Sequence, residues 1–222
     1  MKPARTAVVA AFLAVYVFWG STYLGSKFAM ASFPPTLLAG IRFILGGVAM
    51  ASILAAAGRL RASDFARFRW WRNCGLSGIL LFACANVLVS SAVQRIPSGV
   101  AALIASLTSI WIVAADRAIT RAGAPPWTIL LGLACGVGGV TVLGWPAADD
   151  ARTGLDTVGV LLAACSTLAW ASGTMVGKHT EKPPSLWAAS VMQMLVGGAA
   201  ALAWSALTEH ARWPDAAHVR SE

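Results

Sequence analysis

Apolar residues fill this chain in long runs, broken by short polar connections. Seven runs have the length of a membrane crossing: Ala7–Met30, Leu37–Ala57, Cys74–Val93, Gly99–Ala115, Trp127–Trp145, Thr157–Gly177 and Leu186–Leu207. Each approaches the ~20 residues a helix needs to cover ~30 Å of hydrocarbon. Inside lipid, backbone N–H and C=O groups must bond within their own segment, so these runs are expected to be helices. The period-two alternation of a membrane barrel is absent from the sequence. The expected fold class is therefore all-α, a polytopic membrane helix bundle of about seven transmembrane helices. Lys2 and Arg5 precede the first run as they would a secretory signal. The run is too long for such a signal and shows no clear small-x-small cleavage pattern near its end, so it reads as a membrane helix.

Composition sharpens this picture. The chain is 58% hydrophobic and 12% charged, with a mean hydropathy of +0.70. A soluble domain has about half its residues apolar and about a quarter charged, so this surplus does not fit inside one soluble core. The net charge of +8 raises the question of nucleic acid, and its distribution argues against that partner. Arg59, Arg61, Arg67, Arg69 and Arg72 share one short loop, and Lys2, Arg5, Arg117, Arg121, Lys178 and Lys182 lie at connections on the same side. The connections on the other side carry only Arg95 and Arg152. That asymmetry is the positive-inside pattern, which places the N-terminus in the cytoplasm and the tail after the seventh run outside. The arginine-rich loop could also touch anionic membrane lipid, but topology alone accounts for it. Trp70, Trp71, Trp127, Trp145, Trp187 and Trp204 sit near run ends, where interfacial anchors are expected; Trp19, Trp111 and Trp170 do not. Cys74, Cys84, Cys135 and Cys165 lie in or beside apolar runs without Cys-x-x-Cys spacing, and read as small buried hydrophobes rather than disulfide or metal partners.

The sequence also repeats. "WGSTYLGSK" from Trp19 and "WASGTMVGK" from Trp170 both read Trp-x-Ser-x5-Lys. A shift of 151 residues superposes Trp19 on Trp170, Ser21 on Ser172, Lys27 on Lys178, Arg42 on Gln193 and Gly46-Gly47 on Gly197-Gly198. Pro34-Pro35 and Pro183-Pro184 match at a shift of 149, so the connection before the second pair is two residues shorter. With only four lysines in the chain, a shared Trp-to-Lys spacing argues for duplication. The expected organisation is a five-helix repeat over residues 7–145 and a partial second repeat over 157–222 holding two helices. Five is odd, so the second unit enters from the opposite face of the membrane: an inverted-topology repeat, the architecture of many secondary transporters. On this reading the chain stops at Glu222 as a C-terminally incomplete copy.

These stretches resemble the EamA-type branch of the drug/metabolite transporter superfamily. "FWGSTYLGSKFAMASFPPTLLAGIRFILGG" resembles its first two helices, "QRIPSGVAALIASLTSIW" its third-to-fourth hairpin, and "PPWTILLGLACGVGGVTVLGWP" its fifth helix. "WASGTMVGK", followed by "PPSLWAASVMQMLVGG", resembles its sixth and seventh helices. The resemblance implies ten helices in two repeats, moving small metabolites, amino acids or drugs across the bacterial inner membrane, often outward. The chain departs from that pattern in lacking helices eight to ten. It also has Ser109 where a proline is common, and Ala115-Asp116-Arg117 where a Gly-Glu-Arg-like ending is common.

Ionisable and aromatic groups within the spans are the candidate substrate-binding residues: Trp19, Ser21, Tyr23, Lys27, Arg42, Asn86, Trp111, Trp170 and Gln193. A charge inside a membrane helix is expensive and is by default a functional hypothesis. The bland alternatives are snorkelling to the interface for Lys27 and its repeat mate Lys178, plain packing for the tryptophans, and tying helices together for Asn86 and Gln94. Trp19 and Trp170 would wall an apolar pocket, with Ser21 and Tyr23 adding hydroxyls. Gly132, Gly136 and Gly139, with Gly138, suit close helix packing within the bundle, a homodimer face being the sharper alternative. His179, His210 and His218 lie in connections or the tail, and Asp116 is the only carboxylate near a span, so neither a metal site, a cofactor nor a hydrolytic set is expected. The leading expectation is a secondary transporter working by alternating access, not an enzyme. The runner-up is a non-transporting scaffold or assembly partner, or an inactive fragment.

Overall fold

The computed structural model describes residues 6, 8–10, 12–14, 16–17, 33–149 and 156–209. Trp19, Ser21, Tyr23 and Lys27 lie outside the described residues. The N-terminal described positions, from Thr6 to Val17, are helical. Seven further α-helices follow: α1 (Pro35–Ala56), α2 (Phe68–Gly78), α3 (Ala85–Val93), α4 (Ser98–Thr120), α5 (Trp127–Asp149), α6 (Thr157–His179) and α7 (Leu186–Thr208). A π-helical turn, Ile79–Cys84, joins α2 to α3, so that Phe68–Val93 forms a single span. Among the described residues five helices are long and apolar enough to cross a membrane: Pro35–Ala56, Phe68–Val93, Gly99–Thr120, Thr157–His179 and Leu186–Thr208. A shorter apolar stretch covers Trp127–Gly139 of α5. No strand occurs among the described residues. This is a polytopic helical membrane bundle.

The helix ends follow from local chemistry. α1 begins with Pro35 at its first position, where a missing N–H costs nothing. It ends on Gly58, whose φ of 65° allows Gly58 N–H to bond Ala55 O and Arg59 N–H to bond Leu54 O. The N-terminal groups of α1 are met from across the bundle. Glu209, at the end of α7, accepts from Leu37 N–H at 3.3 Å, from the Thr36 hydroxyl at 2.9 Å and from the Ser205 hydroxyl at 2.9 Å. Asp156 caps α6 by accepting from Val158 N–H and Gly159 N–H, and Ser185 caps α7 by accepting from Ala188 N–H. α4 stops at Arg121, which adopts φ 52°, while Arg117 folds forward onto the Gly123 and Ala124 carbonyls.

α1 and α7 pack antiparallel along their lengths. A Cβ on Gly40 would stand 2.7 Å from Leu202, one on Gly47 3.0 Å from Leu195, and one on Gly198 3.0 Å from Ile44. α7 also crosses α2 and the π turn, where Gly78 and Gly197 bring the two backbones together: a Cβ on either would strike the other helix's backbone. Small residues at crossings are how membrane helices gain packing energy, because lipid supplies little hydrophobic drive between them. α6 lies against α2, α3 and α4, and α5 packs on α4. One buried cluster gathers Ala92, Ile96, Val100, Ala101 and Ala163; a second gathers Trp70, Cys74, Ala189 and Met192. Among the described residues every buried side-chain nitrogen and oxygen has a partner, as a lipid-embedded fold requires.

Two expectations change. Cys74 is buried and Cys84 half-buried, but Cys135 and Cys165 are exposed on the bundle's outer surface, where a thiol meets lipid as a small apolar group. Trp70 is not an outward anchor: it is only 8% exposed, and its indole N–H donates to Glu181, because the start of α2 turns inward beneath the connection between α6 and α7. Among the described residues nothing lies within 4 Å of a Cβ placed on Gly132, Gly136, Gly138 or Gly139, and the close helix approaches include those at Gly40, Gly47, Gly78, Gly159, Gly173, Gly197 and Gly198.

Candidate functional site

Of the candidate residues on described positions, Arg42 lies on α1, Asn86 on the α2–α3 span, Trp111 on α4, Trp170 on α6 and Gln193 on α7. Gln193 on α7 donates from Nε2 to Ser77 Oγ at 3.0 Å, and Ser77 donates to the Gly173 carbonyl of α6 at 2.8 Å. Ser77 is fully buried. Gly173 and Gly177 leave room for it, since a Cβ on Gly177 would lie 2.9 Å from Ser77 Oγ. One hydroxyl thus links three helices. Gly78, one residue on, is the point of closest approach to α7, and the π turn starts immediately after it. Such turns widen the helix and leave carbonyls without their usual partner, a feature common at functional sites. Here Asn86 Nδ2 donates back to Leu81 O at 3.1 Å, so Asn86 stabilises the turn from within its own span.

Arg42 lies on α1, exposed, with its guanidinium 4.8 Å from the Phe43 ring centre. Phe43 in turn stacks on Phe82 of the π turn at 4.3 Å. Cation, ring and ring make a continuous surface between α1 and the π turn, and an exposed cation–ring contact of this kind is worth about 0.5–1 kcal/mol. Arg42 and its repeat mate Gln193 are not partners. In the register that sets Ile44 beside Gly198 and Gly47 beside Leu195, they lie on opposite sides of the crossing. Trp170 is half-buried on α6, and Trp111 on α4 is 43% exposed. The structure therefore sets Gln193 at the α2–α7 crossing, Asn86 beside the π turn and Arg42 beside Phe43 on α1, and leaves Trp111 exposed on α4.

Carboxylates organise both ends of the bundle. At the arginine-rich end Glu181 receives Arg67 at 3.4 Å, Arg69 at 3.3 Å and the Trp70 indole at 3.2 Å, while its backbone carbonyl accepts from Asn73. Nearby, Lys178 Nζ and His179 Nε2 both reach Asp116 Oδ1, at 2.6 and 2.7 Å. Lys178 is thus ion-paired rather than merely snorkelling. At the opposite end Arg95 pairs with Asp156 at 3.2 Å. Ser77, Glu181 and Glu209 escaped the sequence reading. The visible signal was a Ser-Gly pair inside an apolar run for the first, but nothing local marks which carboxylate meets which cation across 61 to 114 residues. Among the described residues no three His, Cys, Asp or Glu side chains converge as metal ligands.

Two carboxylates outside the spans, Asp156 and Glu181, titrate low. The Val158 amide and Arg95 hold Asp156 below the usual aspartate range, against a small opposing loss of hydration. Glu181 loses some hydration, which alone would raise it, but Arg69, Trp70 and Arg67 bring it below the usual glutamate range. A depressed folded-state pKa stabilises above the unfolded value, and that stability is lost as pH falls through the folded one. Acid should therefore loosen both ends below about pH 4. Asp156→Asn with Glu181→Gln should flatten this acid limb, read as helix loss by circular dichroism in detergent between pH 2 and 6. A limb of unchanged steepness would refute the assignment.

The same span order and crossings frame the comparison with known proteins. Residues 6–145 match the model of the EamA-like transporter family. The chain is 28% identical over 190 residues to the inner membrane transporter YedA of Escherichia coli (strain K12), an alignment covering 85% of this chain and 58% of that protein. It is 27% identical over 201 residues to the transporter YvbV of Bacillus subtilis (strain 168), covering 87% of this chain and 60% of that protein. The chain therefore spans about three-fifths of the length of the curated relatives it matches. No solved structure gives a significant match. With the family model covering more than half of a chain already folded as a multi-pass helical bundle, this protein belongs to the EamA-like transporter family.

Proposed function

We propose that the protein is, or forms the larger part of, a secondary transporter that moves small metabolites, amino acids or drugs across the bacterial inner membrane by alternating access. Family membership and a relative named as an inner membrane transporter support the class and the membrane. One observation carries the mechanism. Under the 151-residue repeat, Gly47 maps to Gly198 and Ile44 to Leu195. The contact of Gly47 with Leu195 is then the repeat image of the contact of Gly198 with Ile44. An antiparallel helix pair whose contacts map onto themselves is what an inverted repeat produces at its pseudo-two-fold axis, and such axes pass through transport sites near the bilayer midplane. In this reading the five-helix unit over 7–145 and the unit beginning at 157 rock about the α1–α7 crossing, with the arginine-rich end in the cytoplasm. The substrate meets Arg42, Asn86, Gln193 and Trp170 near the crossing, together with Trp19, Ser21, Tyr23 and Lys27 from the first run, and Trp111 at the edge. The chemistry offered is aromatic faces, amides and a cation, suited to small amphipathic or anionic molecules. Nothing in it suits bond-making, so the reading is non-enzymatic.

The test is efflux of amino acids and anionic dyes from cells expressing the full-length protein. Arg42→Ala and Trp170→Ala are expected to lower efflux severalfold at unchanged membrane abundance. Normal efflux from both variants would sink the site, and an absence of any transported compound would sink the function. A second reading, assembly rather than transport, draws on the open glycine face of α5 at Gly132, Gly136 and Gly139. A homodimer through that face would break on Gly136→Leu, seen as a shift to monomer in native mass spectrometry.

A further inference from the structure

α4 and α6 lie side by side and run in the same direction, each starting at the end opposite the arginine-rich turn. α4 belongs to the first repeat and α6 opens the second. Their starting ends are joined by Arg95, just before α4, and Asp156, the cap of α6. Between the ends the contact is made by small and branched apolar residues, Val100, Ala101 and Ala163. Their finishing ends are joined by Lys178 and His179 closing on Asp116. The two links differ in position and in donors, not in the exposure of their cations. Arg95 is 50% exposed and Asp156 36%, and Asp156 already spends one oxygen on the α6 N-terminus. Lys178 is 53% exposed and Asp116 26%; Asp116 sits inside the last turns of a spanning helix and takes both donors on one oxygen. The neighbouring charges have other duties: Arg117 holds the Gly123 and Ala124 carbonyls, Lys182 donates to Gly177 O, and Glu181 faces Arg67 and Arg69.

We propose that Asp116 is the gate residue at the arginine-rich end, and that its bond to Lys178 and His179 holds the two repeats shut there. The inference rests on the transport reading for its purpose, but not for its geometry. A charge pair at the water–hydrocarbon boundary is a bistable joint. Closed, the ions satisfy one another at short range; open, water solvates each, so the costs of the two states are close. Breaking it should let α4 and α6 part at this end while the Arg95–Asp156 end stays together, which is the motion that exposes a central site to one side.

The experiment is a pair of spin-label distances in the full-length protein, with the four native cysteines replaced by alanine and the protein held in lipid nanodiscs. Ile119→Cys with Pro184→Cys reports the Asp116 end, and Pro97→Cys with Val158→Cys reports the other. Asp116→Asn should lengthen and broaden the first distance and leave the second unchanged, whereas Lys178→Arg should keep the first short. Equal distances in the parent and in Asp116→Asn overturn the gate. So does a widening of both ends, which would mean general loosening. Efflux is measured in parallel: if the first distance lengthens but the parent moves no substrate, the gate stands and the transport reading falls.

Discussion

Gly197→Val is expected to cost the bundle about 1–3 kcal/mol or more, the range for forcing volume into a filled site. The upper part of that range is the right one here. A Cβ at 197 would strike the Gly78 carbonyl and come within 3.0 Å of Phe82 Cβ, and backbone cannot swing aside as a flexible side chain can. Gly78→Val should be equally harmful, since its Cβ would meet the Gln193 carbonyl of α7. Gly136→Val is the control: it faces open space, so it should change stability by no more than the small helix-propensity difference between glycine and valine. The measurement is the fraction of folded protein against temperature in mild detergent, by size exclusion with tryptophan fluorescence. If Gly197→Val and Gly136→Val melt together, the α2–α7 crossing is not the tight point of the fold.

That contrast shows how much of the fold the sequence carried. Hydropathy located the spans because lipid demands apolar surface along each helix, and α7 at Leu186–Thr208 lies within a residue of the run ending at Leu207. It failed at the ends that leave the hydrocarbon. The third run read as starting at Cys74, yet its helix begins at Phe68, because Arg69 and Arg72 belong to a turn that sits in the interface and pairs with Glu181 and Asn73. The fourth run read as stopping at Ala115 and continues to Thr120, its polar last turn being anchored by Asp116 and Arg117. The repeat flagged Gly197-Gly198, and both proved to be contact glycines, one against α2 and one against α1. The Gly-x3-Gly spacing of α5 marks a face able to pack, and spacing does not name what packs on it. Of the proposed site, Arg42, Asn86 and Gln193 stand out in the sequence by cost alone, as polar groups in apolar runs. Their partners do not. Ser77 is an ordinary residue whose importance comes from the Gly173 and Gly177 surfaces set against it, and the π turn arises where α7 presses on Gly78, which no local pattern encodes.

Ser77→Ala is expected to destabilise the bundle by about 1–2 kcal/mol, near the upper end of what single interhelical hydrogen bonds cost in membranes. The reason for the upper end is connectivity. Removing one hydroxyl releases Gln193 from its acceptor on α2 and severs the link to Gly173 on α6, so two interhelical bonds go at once. Gln193→Ala removes one of those bonds and leaves Ser77 on Gly173, so it should cost roughly half as much. The pair should be non-additive, with the double variant little worse than Ser77→Ala, since both single changes cut the same bond. Asn86→Ala provides the comparison from within one span. Its amide serves Leu81 of the same span, so its loss should relax the π turn without separating α6 from α7. Unfolding by increasing mole fraction of a denaturing detergent, followed for the four variants, reads these differences directly. Strict additivity of Ser77→Ala and Gln193→Ala would show that Gln193 spends its energy elsewhere, facing substrate rather than holding the helices. In that event efflux, not stability, is where Gln193→Ala should register.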